Sequence, residues 1–219
     1  MTNVRPMASR LRQLALRVLQ IILPPGMLRT QERVQTATVY LTFDDGPTPD
    51  TTPAILDVLQ RHRARATFFV VGRQAAQHPD LVRRMIAEGH VVGGHTFHHR
   101  PPREVDAGQL WTEILQTDET LQSIVGQAPR LFRPPYGKLT ARKLWRLLAA
   151  GRSIVLWNKD PRDFAASTPQ QIVEWFDLHP CRDGDIVLLH DTSHSTAQAL
   201  DSVLTKLDAA GLVPRSLNA

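Results

Sequence analysis

The chain has 219 residues, 42% of them hydrophobic and 21% charged, which suits one large domain with a short appendage and excludes collagen-like, mucin-like and disordered classes. Its single cysteine, Cys181, excludes an intrachain disulfide and any Cys-rich zinc module. The formal net charge of +5 resides in the first 33 residues, where Arg5, Arg10, Arg12, Arg17, Arg29 and Arg33 meet only Glu32. The remainder is neutral, so no basic face offers itself to a phosphate backbone and nucleic acid is not an expected partner.

In chain order, Leu11, Leu14, Ala15, Val18 and Ile22 recur at helical spacing opposite Arg10, Gln13, Arg17 and Gln20, until Pro24 and Pro25 stop the pattern. Residues 1–37 are therefore expected to form a basic amphipathic helix and linker, packed on the domain itself or in peripheral contact with a membrane. The apolar stretch is too short to span a bilayer. Arg17 and the lack of a small-residue cleavage site make it a poor signal peptide, so the expected location is cytoplasmic or membrane-peripheral.

Residues 38–219 are expected to form the main domain. Apolar runs at 39–43, 66–71, 90–92, 130–133, 154–157 and 186–189 read as strands. Between them lie helical patterns: one opened by Thr52 and Pro53, one ending near Gly89, and others at about 105–125 and 140–150. A further helix opens at Thr168 and Pro169, and the last covers about 195–210. This βα alternation implies a parallel sheet. Five unusual clusters, at 42–46, 95–99, 133–137, 160–164 and 190–191, fall at the C-terminal ends of these strands. Only a barrel brings such ends to one mouth, so the expected fold is α/β, a distorted or incomplete (β/α) barrel of about six or seven parallel strands.

Each cluster has a plain and a chemical reading. Asp44 and Asp45 before Gly46-Pro47 make a good turn, or a carboxylate pair with one member on a cation. His95 and His99 make a His-rich surface turn or, four apart on a helical turn, a pair gripping one ion and leaving an open coordination site. Arg133 before Pro134-Pro135-Tyr136-Gly137 is a solvated charge or a two-pronged carboxylate holder. Asp160 and Asp163 suit a turn, and His190 at the end of a buried run is costly without a partner such as an aspartate.

Taken together, Thr42-Phe43-Asp44-Asp45-Gly46, His95-Thr96-x-x-His99, Arg133-Pro134-Pro135-Tyr136-Gly137, Asp160-x-x-Asp163 and Leu188-Leu189-His190-Asp191 resemble, in order, the five motifs of the NodB-homology polysaccharide deacetylases, carbohydrate esterase family 4. The resemblance runs from about Thr38 to Leu207. It implies a divalent metal, first of all zinc, with cobalt or nickel as alternatives, on Asp45, His95 and His99. It also implies Asp44 as general base, His190 as general acid oriented by Asp163, and Arg133 bracing Asp44. The Tyr136 backbone N–H would sit at the oxyanion, and Leu188, Phe164 and Pro135 at the substrate.

The chain departs from the family pattern in three places. Phe164 stands where tryptophan is usual, Gly94 where asparagine often precedes the first histidine, and Arg100-Pro101-Pro102 replaces the commoner continuation. The implied reaction is metal-dependent hydrolysis of the N-acetyl group of an amino sugar in a glycan containing N-acetylglucosamine, giving acetate and a free amine. The alternatives are deformylation or deacylation of a lipid-linked amino sugar, and a non-catalytic carbohydrate-binding protein.

Overall fold

The computed structural model describes residues 18, 19, 21–32 and 36–218. Seven parallel strands form a curled sheet: β1 (Leu28–Arg29), β2 (Thr38–Asp44), β3 (Thr67–Val70), β4 (Val91–Gly94), β5 (Leu131–Phe132), β6 (Ser153–Val155) and β7 (Ile186–His190). Their spatial order is β1-β6-β5-β4-β3-β2-β7, and a short β8 (Val213–Pro214) pairs with the start of β2. Loop contacts close the gap to β7: after β1, Glu32 N–H donates to the Gly184 carbonyl at 2.8 Å, and after β6, Lys159 bridges Val187. The result is the distorted (β/α) barrel expected from the five clusters at the strand ends.

Strand alternation sorts the side chains into layers. Phe69, Leu131, Val155, Ile186 and Leu217 fill the barrel interior. Leu41, Phe43, Phe68, Val70, Val187 and Leu189 face outward into a core with helices α1 (Thr52–Arg61) and α7 (His194–Ala209). A second outer core joins Leu28, Phe132 and Ile154 to α4 (Ala107–Val125) and α5 (Ala141–Ala149). Each large apolar side chain buried this way contributes about 1.5–3 kcal/mol, which anchors the strands whose polar ends carry the site.

The remaining helices are α2 (Gly72–Gln77), α3 (Pro79–Ala87) and α6 (Pro169–Leu178). The single helix expected before Gly89 is thus two, because Pro79 has no N–H to continue the ladder from α2. Helix α4 begins at a capping box, with Asp106 accepting from Gly108 N–H and Gln109 N–H, and ends at Gly126 in the left-handed region (φ 81°). Of the N-terminal helix expected from sequence, Leu11, Leu14 and Ala15 lie outside the described residues. At its described end Leu19 and Leu23 pack on the second outer core while Ile21 and Ile22 are exposed. Among the described residues, no helix is long and apolar enough to cross a membrane.

Candidate active site

Five loops at the C-terminal mouth deliver the polar groups. Asp44 is the last residue of β2 and pairs in register with His190, the last residue of β7, so both face the same side of the sheet as Thr42 and Leu188. Arg133 follows β5 directly and lies wholly buried in the barrel interior. Its Nη1 donates to Asp44 Oδ1 and to Thr42 Oγ1, each at 2.7 Å, while Nε and Nη2 donate to the carbonyls of Val155 and Leu156. The guanidinium also stacks 4.2 Å from the centre of the Phe69 ring. A buried cation with this many acceptors fixes one oxygen of Asp44 and leaves Oδ2 3.7 Å from His95 Nε2.

Asp45, one residue on, adopts φ 78°, which turns its carboxylate away from that of Asp44. Gly46 has to be glycine: a Cβ there would lie 2.0 Å from Asp191 Oδ2. Asp45 Oδ1 lies 3.5 Å from His95 Nε2 and 3.2 Å from His99 Nε2, and it is a buried oxygen with no hydrogen-bond partner. The three ligand atoms lie within 4.8 Å of one another. His95 Nδ1 donates to the Arg133 carbonyl at 2.7 Å, which turns the Nε2 lone pair toward Asp45. An orphaned buried carboxylate oxygen facing two imidazole nitrogens fits a divalent cation with an open coordination position.

The two histidines do not share a helical turn, contrary to the sequence expectation. They lie on a loop after β4 in which Thr96 and His99 take φ 64° and 56°. The left-handed residues bring the rings to 4.8 Å between centroids by a route that helical periodicity does not describe.

On the opposite wall, His190 Nδ1 donates to Asp163 Oδ1 at 2.7 Å and His190 N–H donates to Oδ2 at 2.7 Å. Thr196 Oγ1 gives Oδ2 a further bond at 2.5 Å. Burial alone would favour the neutral imidazole, but the hydrogen bond and charge of Asp163, with Asp44 and Asp45 behind, push His190 up to about 9. Burial would likewise raise Asp45, yet the His95 ring beside it and the nearby histidine charges bring it down to about 2.

Of the other residues singled out by sequence, Leu188 and Pro135 are buried, and Tyr136 and Phe164 are exposed at the mouth. The Tyr136 ring lies 5.1 Å from that of His99, and Phe164 lies edge-on to His190 at 5.5 Å. Asp160 stays outside the cluster and accepts from the Arg162 N–H. Sequence reasoning gave no role to Thr42, Thr196 or Asp191. Asp191 is fully buried beneath Gly46 and accepts from Thr52 Oγ1 at 2.7 Å; burial, with the charges of Asp45 and Asp44, pushes its carboxyl up to about 7.

A curled parallel barrel with an open carboxylate–imidazole cluster at its C-terminal mouth defines the class of barrel proteins whose strand-end loops carry the site. The particular family follows from comparison: the polysaccharide deacetylase profile matches residues 31–155, and the chain belongs to that family. It is 46% identical over 157 residues to a chitooligosaccharide deacetylase of a Bradyrhizobium species, covering 71% of each chain. It is 38% identical over 173 residues to the peptidoglycan-N-acetylglucosamine deacetylase PgdA of Listeria monocytogenes, covering 79% of this chain but only 36% of that longer protein. The crystal structure of the Bc1960 peptidoglycan N-acetylglucosamine deacetylase superposes with a TM-score of 0.83 at 32% identity, covering 88% of this chain and 91% of the other.

Proposed function

We propose that this polysaccharide deacetylase hydrolyses the N-acetyl group of N-acetylglucosamine units in a glycan of the chitooligosaccharide or peptidoglycan kind, releasing acetate and a free amine. The observation that carries this reading is the orphaned Asp45 Oδ1, facing His95 and His99 between a braced carboxylate, Asp44, and a braced imidazole, His190. Asp45, His95 and His99 would hold a divalent cation, and zinc suits this donor set, with cobalt and nickel also compatible. When bound, that ion polarises the amide carbonyl and makes water more acidic.

Asp44 has Oδ1 occupied by Arg133, so Oδ2, 3.7 Å from His95 Nε2, takes the proton of the attacking water. The backbone N–H of Tyr136 stabilises the charge that develops on the carbonyl oxygen. His190, held protonated by Asp163, delivers its proton from Nε2 to the departing amine. Leu188, Pro135 and Phe164 wall the space for the acetyl methyl group, and the exposed Phe164 and Tyr136 rings offer apolar faces to sugar rings.

Incubating Zn2+-loaded protein with chitooligosaccharides and peptidoglycan fragments, and reading released acetate with the mass of the glycan product, tests the proposal. Stoichiometric acetate and free amine are expected. Glycan binding with no acetate under any divalent metal would contradict it.

A further inference from the structure

The loop from His95 to Arg100 carries two of the three cation ligands and holds two non-glycine residues at positive φ, a conformation that persists only where its surroundings over-determine it. One support comes from the first amides of α2: Gly72 N–H donates to the Thr96 carbonyl at 2.9 Å and Arg73 N–H to the Phe97 carbonyl at 3.1 Å. A second is internal, with His99 N–H donating to Thr96 Oγ1 at 3.1 Å. The third comes from a buried charged side chain on α4. It is Glu113, whose side chain is 3% exposed. Its Oε2 accepts from His98 N–H at 3.1 Å and its Oε1 from Arg100 Nε at 2.6 Å, so one carboxylate grips the loop on both sides of His99.

We infer that Glu113 is a positioning residue for the cation site, holding His99 against Asp45 by clamping His98 and Arg100 from α4. The inference rests on reading Asp45, His95 and His99 as a cation site. It also gives a role to Arg100, the first residue of the Arg100-Pro101-Pro102 departure from the family pattern. Removing the clamp leaves the donor atoms in the chain but frees the loop that aims one of them. A carboxylate that merely stabilised the fold would change the unfolding midpoint and leave metal affinity alone.

The test is a Zn2+ titration of the full chain with a competing chelator, run beside thermal unfolding of the metal-free protein. Glu113→Ala is expected to weaken Zn2+ binding about 10- to 100-fold, as loss of groups that orient ligands does elsewhere. Glu113→Gln keeps an acceptor for His98 N–H and loses the charge facing Arg100, and Arg100→Met removes only the second grip. Both are expected to weaken binding by about tenfold, the low end of that range. Wild-type affinity in a folded Glu113→Ala protein would overturn the inference; if that variant does not fold, wild-type affinity in both Glu113→Gln and Arg100→Met overturns it instead. Asp45→Ala separates the two readings. Wild-type binding that Asp45→Ala abolishes and the Glu113 variants leave unchanged defeats the clamp alone, whereas wild-type protein that binds no better than Asp45→Ala defeats the cation site as well.

Discussion

On the β7 side of the mouth, His190 closes a strand, and both its Nδ1–H and its backbone N–H reach Asp163, which also accepts from Thr196. On the β4 side, His95 and His99 ride a loop with left-handed residues and converge on Asp45 Oδ1, a buried oxygen that no donor satisfies. The first wall is complete as protein. The second leaves one carboxylate oxygen, Asp45 Oδ1, without a hydrogen-bond partner beside the two imidazole nitrogens, 3.5 and 3.2 Å away. On the roles proposed above, proton transfer would rest on regular register plus one carboxylate, whereas cation binding would depend on a loop held from outside.

The sharpest way to break this comparison is to neutralise the two adjacent aspartates in turn. Asp45→Asn should empty the cation site and abolish turnover. Asp44→Asn should keep the metal and lose about 10²–10⁴ in kcat, the usual worth of a general base. Metal analysis beside kinetics reads the difference; equal metal loss in both would merge the roles kept apart here. Next in size is Arg133→Met, which strands Asp44 as a buried, unpaired carboxylate and should lower stability by about 3–5 kcal/mol in denaturant unfolding. A loss below about 1 kcal/mol, the range of an exposed pair, would mean that the pair is effectively solvated.

Asp163→Asn tests the other wall through pH. If His190 is the general acid proposed above, it acts while protonated, and activity should fall as pH rises through about 9. Removing the Asp163 charge should move that limb toward the ordinary 6.5. The same shift has a stability counterpart in the metal-free chain. Because the folded value lies above 6.5, the stability His190 adds is complete below 6.5 and is lost as pH rises through about 9. Asp163→Asn should flatten that fall in thermal unfolding; an unchanged basic limb and an unchanged fall would remove Asp163 from the acid. The smallest effect is expected from Thr196→Val, which deletes one of the three bonds to Asp163 and should cost about 1.5–3 kcal/mol of stability with only a minor change in the pH profile.

The strands that carry the site were legible because 39–43, 66–71 and 186–189 are near-continuous apolar runs, the pattern of strands buried on both faces. β1 and β8 were not, since each exists only through pairing with a distant strand, β6 and β2 respectively. The break between α2 and α3 was written in Pro79 but masked by the apolar positions on either side. At the site, Asp45, His95 and His99 could be grouped from motif order, yet the route that joins them could not, because helical spacing says nothing of residues at positive φ. Thr196 and Glu113 carry no local signature, and Thr42, though within the first motif, carries no local sign of its role. Thr42 matters through Arg133, 91 residues away, and Glu113 is one polar position on an otherwise ordinary helix face.

The central claim is that Asp45, His95 and His99 share one ion. A crystal of the protein grown with Zn2+ and measured across the zinc absorption edge tests it most directly. The expected result is a single strong anomalous peak about 2.0–2.2 Å from an Asp45 carboxylate oxygen and the Nε2 atoms of His95 and His99. An ordered site with no peak there, or a peak held by other side chains, would contradict it.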